Sequence, residues 1–302
     1  MTTATMNSAT SAVVASAPKG KSLWADAFQR LRREKVAMVC LFIIIAYLVM
    51  AALCAADLAF TSYKIVDNTK AYQGPSSEHW LGTDLFGRDV LARAAHGTVT
   101  SLIVGFFGAA MAVMIGTFFG ALAGYFGGWV DELIVWAYTT VDTIPYILLV
   151  VAFSFVVGPG LSTLCIAIGL TSWIGHCRIV RGEFMKHRDR EYVQGAAALG
   201  ASQARRIFIH ILPNTFHLVL INFSLLFVTA VKSEVILSYL GLGVRPGTPS
   251  WGMMISDAKL ELSREIWWGL TGATIFMFFL VLAFTLFNDA LRDALDPKLK
   301  SR

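Results

Sequence analysis

EYVQGAAALGASQARRIFIHILP, residues 191–213, is a polar, small-residue stretch set between strongly apolar runs, and its reading decides the fold. It divides into two short helices at Gly200. The first is built from Ala, Gly and Gln. The second starts at Ser202, whose hydroxyl can cap a helix N-terminus, and carries Arg205 and Arg206 on one side. Gly200 suits the left-handed conformation that ends a helix, and Pro213 is expected to close the second helix. Gly195, Ala196, Ala197 and Ala198 leave one helical face nearly bare, so another protein's surface can approach the backbone closely. The stretch reads as a docking element carried between two membrane spans.

The flanking sequence supplies those spans. The chain has 302 residues, 56% hydrophobic and 15% charged, with a mean hydropathy of +0.63. No soluble domain of this length needs so much apolar surface, so the expectation is an all-α membrane protein. Six apolar runs can cross a bilayer, at about 36–60, 97–124, 132–157, 161–180, 216–240 and 267–287. Residues 1–21, rich in Thr, Ala and Ser, read as a disordered tail. Over 22–35, Trp24, Ala27, Phe28 and Leu31 oppose Asp26, Arg30 and Arg33, which fits a helix lying on the membrane surface. Basic residues before an apolar run also resemble a secretory signal, but 36–60 is too long for a signal core and reads as an uncleaved span. In the second run Gly116, Gly120 and Gly124 recur every four residues, a stripe on which another helix can pack at short range.

The distribution of charge explains the net +5 better than a nucleic-acid partner does. Six spans put both termini on one side. Seventeen of the 25 Lys and Arg then fall on that side, in the N-terminal segment, the 178–206 region and the C-terminal tail. The excess of basic residues marks it as cytoplasmic, and the docking element lies there too.

Little in the chain points to enzyme chemistry. GxxxxGK[ST] is absent, as are GxSxG and HExxH, and the six His show no metal-ligand spacing. Cys40, Cys54, Cys165 and Cys177 lie in or beside apolar runs without a CxxC pair and read as reduced packing residues. Charged residues at membrane depth are the remaining candidates. Asp142 lies about 15 Å into the third run at 1.5 Å per residue, and Pro145 is expected to free the carbonyl of Val141. Its carboxylate either faces a water-filled path or is satisfied by Thr139, Thr140 or Thr143. Lys232 and Glu234, two residues apart in the fifth run, face different ways. Lys232 can snorkel outward, and Glu234 is a candidate for gating or helix pairing.

Gln194-Gly195-Ala196, then Gly200, then Leu212-Pro213 resembles the "EAA" cytoplasmic loop of ABC importer membrane subunits. Gln194 stands for that family's Glu, Gly195 for its first Ala and His210 for its Ile. HWLGTDLFGRDVLAR, residues 79–93, resembles the "LGTDxxGRD" signature of the C-type subunit in the dipeptide, oligopeptide and nickel branch, with Val99 where that family tends to carry Arg. SYLGLG (238–243), PSWG (249–252) and LRDALDP (291–297) fit the same pattern, so the resemblance covers about residues 22–300.

The resemblance implies a type I importer permease fold. Its divisions are a surface helix, first span and outer loop over 22–96, a core over 97–290 with a coupling loop at 181–213, and a tail from 291. It also implies a homologous B-type permease as partner, two ABC ATPases carrying ATP and magnesium, and an extracytoplasmic solute-binding protein. No cofactor is expected in this chain, and the bacterial cytoplasmic membrane is its expected location. Gln194, Gly195, Ala196, Ala197, Gly200, Leu212 and Pro213 become the ATPase-coupling residues. Asp142, Pro145 and Glu234 become the translocation-path candidates. A secondary transporter or channel working without an ATPase is the alternative from another class.

Overall fold

The computed structural model describes residues 23–295, with side chains from Phe28 onward. The expected tail over 1–21, the end of the C-terminal tail and the side chains of Trp24, Asp26 and Ala27 lie outside the described residues. Helix α1 spans Leu23–Arg33 and α2 spans Lys35–Ala55. After an irregular segment over 56–89 come α3 (Val90–Phe126), α4 (Gly128–Asp142), α5 (Tyr146–Val157), α6 (Leu161–Thr171) and α7 (Trp173–Arg188). Then follow α8 (Glu191–Ala198), α9 (Gln203–Tyr239), α10 (Trp251–Leu262) and α11 (Trp268–Leu295). Among the described residues there is no β-strand, only an isolated bridge between Thr83 and Asp89.

Among the described residues, five segments are long and apolar enough to cross a membrane: α2, α3, α6 with α7, α9 and α11. The pair α4 and α5 is long and apolar enough only when taken together, and it is bent by 81° at its break. The disturbance expected at Pro145 is thus a full break in the third apolar run, at Thr143–Pro145. Proline has no N–H to donate and disfavours helical geometry in the residue before it, so α4 stops before Ile144 and α5 starts after Pro145. The carbonyl of Val141 is not left free as expected, because the Ile144 amide donates to it at 3.2 Å.

Helix α3 is the centre of the bundle and touches α2, α6, α7, α9 and α11. It starts at Val90, earlier than its apolar run, because Asp89 caps it by accepting from the Ala92 amide at 2.8 Å. Its glycine stripe does what the spacing predicts. A Cβ on Gly116 would lie 2.8 Å from the Trp173 carbonyl, and one on Gly120 2.7 Å from that of Cys177, while Gly124 abuts the Arg181 carbonyl. Trp173, Cys177 and Arg181 are themselves four apart, so two matching helical rows of α3 and α7 meet backbone to backbone. Along the other side of α3, Val90, Ala94, Phe227, Val231, Trp251 and Leu280 form the largest apolar core.

The bundle has two distinct ends. The cap end carries the 56–89 segment and α10. The loop end carries α8, the C-termini of α3 and α7, and the start of α9.

Candidate functional site

At the loop end, α8 ends in a tight reversal. The Gly200 amide donates to Ala197 O at 3.0 Å and the Ala201 amide to Ala196 O at 3.0 Å, with Gly200 at φ +84°. This paired 5→2 and 6→1 pattern requires the left-handed residue that glycine supplies. Ser202 then caps α9, its hydroxyl accepting from the Arg205 amide at 3.3 Å. The two-helix frame with a break at Gly200 is as expected.

Pro213 is where the structure departs from expectation. It does not close the second helix, which runs on to Tyr239. Residues 206–211 form a wider π-type turn just ahead of the proline, which accommodates a ring that would otherwise clash one turn back. Asn214 Nδ2 donates to the His210 carbonyl at 2.6 Å and Thr215 Oγ1 to that of Leu212 at 3.1 Å, so local side chains serve the disturbed carbonyls. The helix begun at Gln203 is consequently continuous with the candidate membrane span, 37 residues and about 55 Å long.

Helix α8 is fastened to the bundle along one side. Val193 is buried with Tyr125, Phe184, Ile207 and Ile211. His187 Nδ1 pairs with Tyr192 Oη at 2.7 Å, and Gln194 Nε2 donates to the Arg188 carbonyl at 3.2 Å. Its other side is open: Gly195 and Ala198 are exposed, Ala196 and Ala197 half-buried, and nothing stands within 4 Å of a Cβ placed on Gly195. Leu199, at the tip, is 91% exposed. Leu212 is half-buried and Pro213 exposed, near the start of α9.

At the break between α4 and α5, all seven residues from Thr139 to Pro145 are exposed. Asp142 is not held by the neighbouring threonine hydroxyls. Arg178 on α7 donates to its Oδ2 at 2.7 Å, while the Thr140 and Thr143 hydroxyls serve backbone carbonyls. The Asp142 side chain is still 48% exposed, so the pair forms a charged surface beside three threonines. Tyr146 fixes the start of α5, bonding Ser233 Oγ at 3.0 Å and accepting from Ser172 Oγ at 3.2 Å.

Glu234 has no exposed surface. Its carboxyl accepts from Ser250 Oγ at 2.6 Å, Ser238 Oγ at 2.8 Å and Ser101 Oγ at 3.3 Å. It thus joins α3, α9 and the start of α10. Lys232 is exposed, and the two side chains do not meet. The SYLGLG and PSWG motifs serve this junction: Gly252 packs on the Val235 carbonyl, and Trp251 Nε1 donates to Ala94 O at 2.8 Å.

Residues 116–301 match the family of binding-protein-dependent transport system inner membrane components, and residues 22–75 match the N-terminal transmembrane domain of oligopeptide transport permease C. The chain belongs to this permease family. The dipeptide transport system permease of Alkalihalophilus pseudofirmus is 39% identical over 281 residues, 93% of this chain and 91% of that protein. The oligopeptide transport system permease of Bacillus subtilis is 38% identical over 282 residues, 93% and 92%. The glutathione transport system permease of Pectobacterium atrosepticum is 34% identical over 278 residues, 92% of each. The permease is thus a multi-pass membrane subunit of a transport system.

The permease also carries a folded cap that sequence reasoning took only for turns and a signature. Asp84 is its hub, accepting from the Phe86 and Arg88 amides at 2.9 and 3.0 Å, from Arg88 Nε at 2.8 Å and from an Arg93 nitrogen at 3.0 Å. Asp89 receives His79 Nδ1 at 2.8 Å, and Trp268 Nε1 of α11 donates to Thr83 O at 2.8 Å. Arg93, Asp257 and Leu199 went unnoticed as individual residues. An Arg at the start of an apolar helix and a Leu beside the docking glycine were the available signals.

Proposed function

We infer that this permease is the membrane subunit of an ATP-driven importer for di- and oligopeptides in a bacterial cytoplasmic membrane. It pairs with a homologous B-type permease around a central path. Two ATPase chains, which bind ATP and magnesium, sit under the docking loops, and a solute-binding protein delivers substrate from outside. Peptide chemistry is common to the dipeptide, oligopeptide and glutathione systems of the relatives.

The observation that carries the reading is the continuity of the docking loop with α9. The exposed face of α8 and Leu199 gives an ATPase cleft something to hold, and the buried Val193 side ties α8 to α3, α7 and α9. A displacement of α8 is therefore passed to a helix whose far end holds Glu234 and, through it, α10. ATP-bound and ATP-free ATPases that seat α8 differently would favour different permease conformations, which is the requirement for coupling. The exposed 139–145 segment, with its threonines and the Asp142–Arg178 pair, suits the wall of a polar path completed by the second permease.

The test is extraction in mild detergent followed by identification of everything that stays bound. A second permease and ATPase chains are expected with the unaltered chain. Leu199→Asp, a change at a site that touches almost nothing within the chain, is expected to lose the ATPases and keep the second permease. Recovery of the chain alone under conditions that preserve other such complexes would overturn the reading.

A further inference from the structure

At the cap end, the C-terminal turn of α10 buries a carboxyl group that the proposed transport cycle does not use. Glu261 is 4% exposed. Its Oε2 points at Gly269 in the first turn of α11, where an added Cβ would come within 2.7 Å. Around it, Asp84, Arg88, Arg93, Asp257 and Tyr72 line a small cavity of about 70 Å³.

The charges in this cluster do not balance. Arg93 bridges Asp84 at 3.0 Å and Asp257 at 2.7 Å, and Arg88 pairs with Asp84 at 2.7 Å. Both guanidinium groups are therefore occupied by the two aspartates. Among the described residues the Glu261 carboxyl has no hydrogen bond or ion pair. With Glu261 ionised, three carboxylates share two guanidinium groups. With Glu261 protonated, the cluster is neutral.

Of the other charged groups nearby, the exposed Arg264 lies at the rim, over the cavity-lining Tyr72, and Lys259 and His79 have partners outside the cluster. Lys259 of α10 sits 3.6 Å from the Tyr239 ring centroid, Arg264 lies over Tyr72 at 5.7 Å, and His79 is paired with Asp89. Glu265 adds a further carboxylate in the connection to α11, whose first residues, Trp268, Gly269 and Leu270, carry no charge.

We propose that Glu261 is a proton-operated latch: its protonated form seats the C-terminal end of α10 on the Asp84–Arg93–Asp257 bridge and α11, and its ionised form loosens that seat. Burial, then the neighbouring Asp257 and Asp84, push the Glu261 carboxyl up to about 7. The seated state thus binds the proton more tightly than an open state, whose carboxyl has an ordinary value near 4.5. The contribution to seating is complete below that ordinary value and is lost as pH rises through about 7. The N-terminal end of α10 is held separately by Ser250, Trp251 and Glu234, so loosening is confined to the distal half of the helix. Under the proposed orientation, and only there does this inference rest on the function above, the latch would report external pH.

The experiment is amide hydrogen exchange on the full chain in lipid nanodiscs between pH 5.5 and 8.5, corrected for intrinsic exchange. Peptides covering 255–266 are expected to exchange several-fold faster on the alkaline side of a step near pH 7. Glu261→Gln, neutral at every pH, is expected to abolish the step and keep the slow rate at pH 8.5. Asp257→Asn, which removes one of the competing carboxylates, is expected to move the step to lower pH. Should Glu261→Gln fold poorly, Asp257→Asn and the unaltered chain still decide the matter. A flat profile in the unaltered chain, or a step that survives in Glu261→Gln, would overturn the proposal. Neither ATPase nor transport enters this readout, so its failure leaves the importer reading untouched, and the reverse.

Discussion

Asp142 and Glu234 are both acidic residues in apolar runs, and their surroundings give them opposite characters. Glu234 is enclosed by three serine hydroxyls from three elements, so its carboxyl is an internal joint. Asp142 sits on the surface of the chain with one arginine, in a geometry where an ion pair contributes only about 0–1 kcal/mol. Asp142→Asn is accordingly expected to change the thermal stability of the purified permease by less than about 1 kcal/mol. Uptake by the assembled transporter is expected to fall well beyond what that change explains. Unaltered uptake would remove Asp142 from the path. Sequence alone could place both carboxylates in the membrane but could not distinguish them, because the distinguishing partners, Arg178 and Ser101, are 36 and 133 residues away.

At the level of elements, α3 and α7 meet backbone to backbone, because glycine leaves no side chain between them. Gly120→Ala would put a Cβ 2.7 Å from Cys177 O and 2.8 Å from Val180 Cβ, an overpacking that costs about 1–3 kcal/mol. Gly175, on the open side of α7, has nothing within 4 Å, and Gly175→Ala is expected to stabilise the helix by about 0.5–1 kcal/mol. Thermal unfolding of the two purified variants should therefore shift in opposite directions, and a matching shift would mean that the stripe is not a contact row. The stripe was legible because its spacing is local. The fate of Pro213 was not legible in the same way. Proline usually stops a helix, and here the π-type turn over 206–211 together with the Asn214 side chain lets α9 continue. That continuation makes the start of the second loop helix one end of a 37-residue helix.

On the scale of the whole molecule, the two ends of the bundle carry different surfaces. The cap end exposes Trp80 at 73% and the loop end exposes Leu199 at 91%, which makes them suitable reporters of sidedness. In intact cells, Trp80→Cys should react with a membrane-impermeant thiol reagent, whereas Leu199→Cys should react only after the membrane is opened. The reverse pattern would invert the proposed orientation and place the docking loop away from ATP. Native Cys40, Cys54 and Cys177 are buried and Cys165 half-buried, which limits background labelling.

Composition and periodicity were enough to determine an all-α membrane chain, the positions of its apolar runs, the helix–Gly–helix frame at 191–205 and the glycine stripe, because each depends on residues close in sequence. The motif resemblance was enough for the family. Only the tertiary structure decided that the third apolar run bends by 81°, that Asp142 pairs with Arg178, that Glu234 is a sealed junction and that Asp84, Arg93, Asp257 and Glu261 share one cluster. Those features arise where distant segments meet. There, burial and charge are set by what the fold brings alongside rather than by any neighbour in the chain.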